Sequence, residues 1–152
     1  MIKLINPLPA WVTSAVREPA ALDFIGLIFD VFEVWDDLVD RDKPVSDELI
    51  SDAFRKAVVH LPINAFYMQN FGALYPHVVA TITAWETANE LHKAKDKESI
   101  AHAYTLRKLM INLIVECVRI LDGNTAALNA SVLGWSDSAK NDSFETFLGE
   151  AL

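Results

Sequence analysis

The sequence predicts an all-α protein, and three observations carry that expectation. Apolar residues recur at helical spacing. Capping and stop residues fall at the ends of those stretches. No stretch joins strand-like alternation to hairpin turn chemistry. The expected architecture is a single-domain helical bundle of five to eight helices over residues 1–152.

Taken in order, residues 1–8 read as a short arm punctuated by Pro7 and Pro9. A short helix is expected over 9–17, stopping near Pro19. A long one follows over 20–40, apolar around most of its circumference (Phe24, Leu27, Ile28, Val31, Val34, Leu38), which marks it as central. Ser46 is an N-cap for a third helix over 47–61, with Asp47 and Glu48 well placed in its first turn. Pro62 opens a shorter piece that Gly72 is expected to close. Pro76 suits the first turn of a helix running to about residue 93. A strongly apolar helix is expected over 99–121, with Gly123 as its stop. Two shorter helices are expected over 125–133 and 143–152.

Composition narrows function. The chain has 152 residues and a formal net charge of −8. Such an acidic chain lacks the cations that neutralise phosphates, so no nucleic acid is expected as a partner. No charge-free apolar run of about 20 residues occurs, so no membrane span is expected, and the first residues lack a signal peptide's apolar run. The expected location is cytoplasmic. Cys117, the one cysteine, reads as a buried small hydrophobe. His77, His92 and His102 are scattered and read as packing or surface residues.

The sharpest local signal is IFDVFEVWDDLVDRDKP. Asp30, Glu33, Asp36, Asp37 and Asp40 fall within roughly a 120° arc of one helix. Like charges at this spacing repel unless something compensates. Arg41 is the only nearby cation on the helix, so salt-bridge lacing is not expected. A divalent ion such as Mg²⁺, held by Glu33, Asp36, Asp37 and Asp40, would relieve the repulsion. Mg²⁺ takes one or two carboxylates together with water and substrate phosphates.

WDDLVDRDKP, residues 35–44, resembles the DDxxD motif of class I isoprenoid synthases, an all-α family that binds Mg²⁺ and an allylic diphosphate. The resemblance implies that Asp36 and Asp40 carry the metal, with Asp37 adjacent. It also implies a second metal motif at Asp142, Thr146 and Glu150, and a diphosphate-binding role for Arg107. The chain departs from that family in its length, about half the usual, and in having Ser143 where a second acid is usual. The segment WDDLVDRDKPVS, with LPINAFY after it, also resembles small uncharacterised proteins of tailed phages.

Two other readings stand beside this one. The pairs Glu33/Asp36 and Glu86/Asn89, with Glu90 adjacent, resemble the arrangement of MazG-type all-α nucleotide pyrophosphatases, although Asn89 stands where an acid is expected. Alternatively the chain is a non-enzymatic interaction module with an acidic face. Four Trp and eight Phe are many anchors for so short a chain, enough for an oligomer or partner interface. The partner is then a small-molecule diphosphate in the enzyme readings, and a protein or a second copy in the other.

Overall fold

The computed structural model describes residues 3–152; the first two residues of the expected arm lie outside that range. The described residues are all-α, with no strand among them. Their contacts divide the chain into two compact units, Met1–Phe71 and Gly72–Leu152.

In the first unit an extended arm leads into α1 (Ala10–Ala15) and then α2 (Pro19–Asp40). Glu18 caps α2 by accepting the Ala21 N–H at 2.5 Å, and Pro19 takes the first helical position, where no N–H is needed. Arg41 ends the helix in the left-handed region (φ 55°). The unit's core is built on α2, whose Phe24, Ile25, Leu27, Ile28 and Val34 are buried. Against it pack α3 (Asp47–Arg55), a π-helical turn (Lys56–His60) and α4 (Ala65–Gln69). Ser46 caps α3 as the sequence predicts, and Asn64 caps α4. Asn64 also donates to the Ala20 carbonyl at 2.9 Å, which joins the start of α4 to the start of α2. Phe24 meets the Tyr67 ring at 4.9 Å between centroids.

In the second unit α5 (Phe71–His92) is followed by α6 (Lys97–Leu106), α7 (Met110–Asp122), α8 (Asn124–Asn141) and α9 (Phe144–Ala151). The core comes from Leu113, Ile114, Cys117 and Val118 on α7, with Ile100 and Ala103 on α6. Ala127, Ala130 and Gly134 give α8 a small-residue face, and α7 packs along this helix. Gly123, at φ 90°, makes the turn between α7 and α8 in a region that side chains disfavour.

Several expected boundaries move. Gly72 does not close a helix: α5 begins at Phe71 and runs through both Gly72 and Pro76, so Pro76 lies in its interior. The single helix expected over 99–121 is broken between α6 and α7. There the i→i+4 ladder tightens to i→i+3 bonds at Lys108 and Leu109. Tertiary bonds hold the neighbouring side chains. Arg107 donates to Asn89 Oδ1 at 2.5 Å, and Lys108 sits 3.0 Å from the Asp142 carboxylate and over the Tyr104 ring. The helix expected to stop at 133 continues to Asn141.

Candidate functional site: the carboxylate stripe of α2

Gly26, Asp30, Glu33 and Asp37 are spaced by four, three and four residues, so they line a stripe only roughly 60° wide on α2. This stripe receives the N-terminal arm. Leu4 covers Gly26 so closely that a Cβ there would lie 2.6 Å from Leu4 Cδ2. One residue on, the Ile5 N–H donates to the Asp30 carboxylate (3.1 and 3.2 Å), and Asn6 Nδ2 donates to Glu33 (2.7 and 2.8 Å).

Two lysines complete it. Lys56, from the π-helical turn, places Nζ 2.6 Å from Asp30 Oδ2 and 2.6 Å from Asp52 Oδ2. Asp30 is 2% exposed and Lys56 4%. Burial pushes the Lys56 pKa down, but hydrogen bonds to Asp30 and Asp52, with their charges, outweigh it and hold the ammonium above its ordinary 10.5. Lys43, in the loop after α2, lies 3.1 Å from Asp37 and 4.0 Å from Glu33. Its hydrogen bond to Asp37 and the charge of that carboxylate raise its pKa.

The stripe is therefore laced, contrary to the expectation drawn from α2 alone. Its cations come from segments that folding brings to the helix. Asp36 is half-buried and Asp40 exposed at the end of α2. Among the described residues, no three His, Cys, Asp or Glu side chains form a group that could hold a metal ion. A divalent ion on Glu33 and Asp37 has to compete with Lys43.

The other site residues named from sequence have structural partners or stand apart. Asp142 precedes α9 in an extended conformation, while Thr146 and Glu150 are on that helix, so the four-residue spacing does not place all three on one helical face. The Asp142 carboxylate pairs with Lys108, and its carbonyl accepts from Tyr104 Oη. Thr146 Oγ1 is 2.8 Å from Ser143 Oγ, within the N-terminal cap of α9. Arg107 is bonded to Asn89 and lies 5.9 Å from the Phe147 ring centroid. Of the pyrophosphatase-like set, Asn89 is thus taken by Arg107 and Glu90 pairs with Lys93 at 2.6 Å, while Glu86 is exposed.

No protein-family model matches the sequence, and neither a curated protein nor a solved structure matches it.

Two features escape a reading of the sequence. In the second unit an open groove of about 440 Å³ runs between His77, Asn112, Arg119, Asn124 and Leu128. Two of its lining residues share a neighbour: Glu116 pairs with Arg119 and stands 3.8 Å from His77 Nε2. Only the three-residue spacing of Glu116 and Arg119 was visible in the chain.

The second feature is an exposed apolar face in the first unit. Ile50, Phe54 and Val58 recur every four residues from α3 into the π-helical turn, all exposed, with Phe54 at 69%. Ile63 and Met68 beyond them are also exposed. The aromatic count of the sequence points to an interface only in general terms and does not place it.

Proposed function

We propose that this chain is a protein-interaction module that docks through the apolar face of α3, the π-helical turn and α4. The observation that carries the reading is the exposed row Ile50, Phe54 and Val58. Ile50 and Phe54, four residues apart on α3, lie within roughly 40° of each other, and Val58 follows at the same spacing in the π-helical turn, so the row reads as one ridge rather than scattered exposure. Contiguous apolar surface of this kind marks interaction sites, and Phe and Met are enriched in them.

The rigid support beneath the face fits docking. α3 and the π-helical turn pack on α2, and the buried Asp30–Lys56 pair, extended to the exposed Asp52, ties them to it. The carboxylates that suggested metal chemistry serve here as anchors for the arm, the loop after α2 and the π-helical turn. The interaction reading draws support over the metal–diphosphate reading from that engagement, because Glu33 and Asp37 already have a cation.

The test is site-specific photo-crosslinking in cells. Benzoylphenylalanine at position 54 or 63 is expected to give a discrete adduct. The same group at position 145, exposed on α9 in the second unit, is expected to give none. Equal labelling at all three positions, or none, would overturn the reading.

A further inference from the structure

We infer that the groove of the second unit binds a small monocarboxylate with a short apolar body, held by Arg119. The inference stands on the second unit alone and is independent of the docking face on the first.

Three helices build the groove. Asn112, Val115 and Arg119 are spaced by three and four residues, so they form one stripe on α7. Asn124, Leu128 and Ser131 form a second stripe in the first half of α8, and His77 comes from α5. The volume of about 440 Å³ lies in the range of small-molecule sites.

The lining departs from the rest of the chain. The sequence carries 21 Asp and Glu, yet among the described residues that line the groove none is acidic. Arg119 is the one permanent cation among them. His77, Asn112, Asn124 and Ser131 can each donate a hydrogen bond. Donors gathered around a cation are complementary to the oxygens of an anion. Val115, Ala127 and Leu128 add an apolar wall for the body of the ligand.

Arg119 is held in place by bonds made within the fold. Its Nε donates to Asn124 Oδ1 at 3.2 Å and its Nη1 to the Glu116 carboxylate. These bonds leave Nη2, with two N–H groups, for a further acceptor. A guanidinium already fixed loses less side-chain freedom on binding. The charge of the ligand follows from the same pairing. Arg119 shares its charge with Glu116, so the groove has too little positive charge for a phosphate dianion or a diphosphate. A single carboxylate suits it.

The test is a ¹⁵N NMR titration of the full chain with sodium benzoate, at an ionic strength held constant with sodium chloride. Benzamide is the neutral isostere. Benzoate is expected to bind saturably and to move the side-chain signals of Asn112, Asn124 and Arg119. Benzamide is expected to bind about tenfold more weakly or worse, because it forfeits a charge-assisted hydrogen bond. Acetate, which lacks the apolar body, is expected to bind more weakly than benzoate.

Two variants locate the site. Arg119→Gln is expected to weaken benzoate binding by about tenfold or more. It also leaves Glu116 without its arginine, so Asn124→Asp serves as the second variant. Asn124→Asp keeps an oxygen for Arg119, but its carboxylate repels the anion. The same loss is expected, with helical circular dichroism unchanged. Shifts that never saturate, equal binding of benzamide, or wild-type affinity in either variant would overturn the inference. None of these outcomes bears on position 54, so the docking reading stands or falls separately.

Discussion

Asp30 and Lys56, 26 residues apart in sequence, meet at 2.6 Å with almost no exposure to solvent. Each ion is costly to bury alone, and each is tolerable because the other is present and further hydrogen bonds satisfy both. Lys56 has Asp52 as a second acceptor, and Asp30 receives the Ile5 N–H. This pair joins α2, the π-helical turn and the N-terminal arm at one point.

Removing one member leaves an uncompensated buried charge. Asp30→Ala or Lys56→Ala is expected to cost about 3–5 kcal/mol in chemical denaturation, whereas Asp30→Leu combined with Lys56→Met is expected to cost far less. Single variants as stable as the wild type would show that the pair does not hold the unit together.

The pH response follows from the raised pKa of Lys56. A folded-state pKa above the unfolded one stabilises the protein fully at pH values below the unfolded value. That contribution is lost as pH rises through the folded value. The stability difference between wild type and Lys56→Met is therefore expected to be flat from neutral pH to about 10 and to shrink above 10.5. A difference that shrinks already between pH 7 and 9 would contradict the assignment.

Gly26 reports on the arm. Gly26→Ala gains about 1 kcal/mol of helix propensity but must push Leu4 aside. Leu4 can turn its side chain, so global stability is expected to change little. Local protection should fall. Hydrogen exchange at the Ile5 amide, bonded to Asp30, is expected to accelerate in Gly26→Ala. Unchanged exchange would mean that the arm is not seated by its contact with Gly26.

Cys117 offers a chemical check on the second unit. Burial, and to a lesser degree the charge of Glu116, push its thiol up to about 12, which leaves almost no thiolate near neutrality. Native protein at pH 8 is expected to resist iodoacetamide and to react only after unfolding. Rapid native alkylation would contradict the packing of α7.

The helices were legible where local chemistry decides them. Ser46 caps α3, Gly123 ends α7, and the apolar run of α2 builds the core of its unit. Pro76 misled, because proline usually marks a helix start and here sits inside α5. The break between α6 and α7 carries no Gly or Pro; Arg107 and Lys108 are held there by Asn89 and Asp142, partners distant in sequence.

The same limit governs the candidate site. The carboxylate stripe was visible in full, but its meaning depends on what faces it. A helical wheel of α2 shows Arg41 and cannot show Lys56 or Lys43 folding back onto Asp30 and Asp37. Gly26 continues the stripe by one turn, and that glycine was the available hint that a chain segment, Leu4 to Asn6, packs there.

The most direct test of binding module against metal enzyme is thermal unfolding with Mg²⁺, with pyrophosphate, and with both, on wild type and Asp36→Asn. A ligand that binds the folded state raises the midpoint by mass action. With Lys43 and Lys56 already serving the stripe, no midpoint shift beyond the general effect of salt is expected in either protein. A rise that requires Mg²⁺ and pyrophosphate together and disappears in Asp36→Asn would contradict this account and establish a metal–diphosphate site on α2.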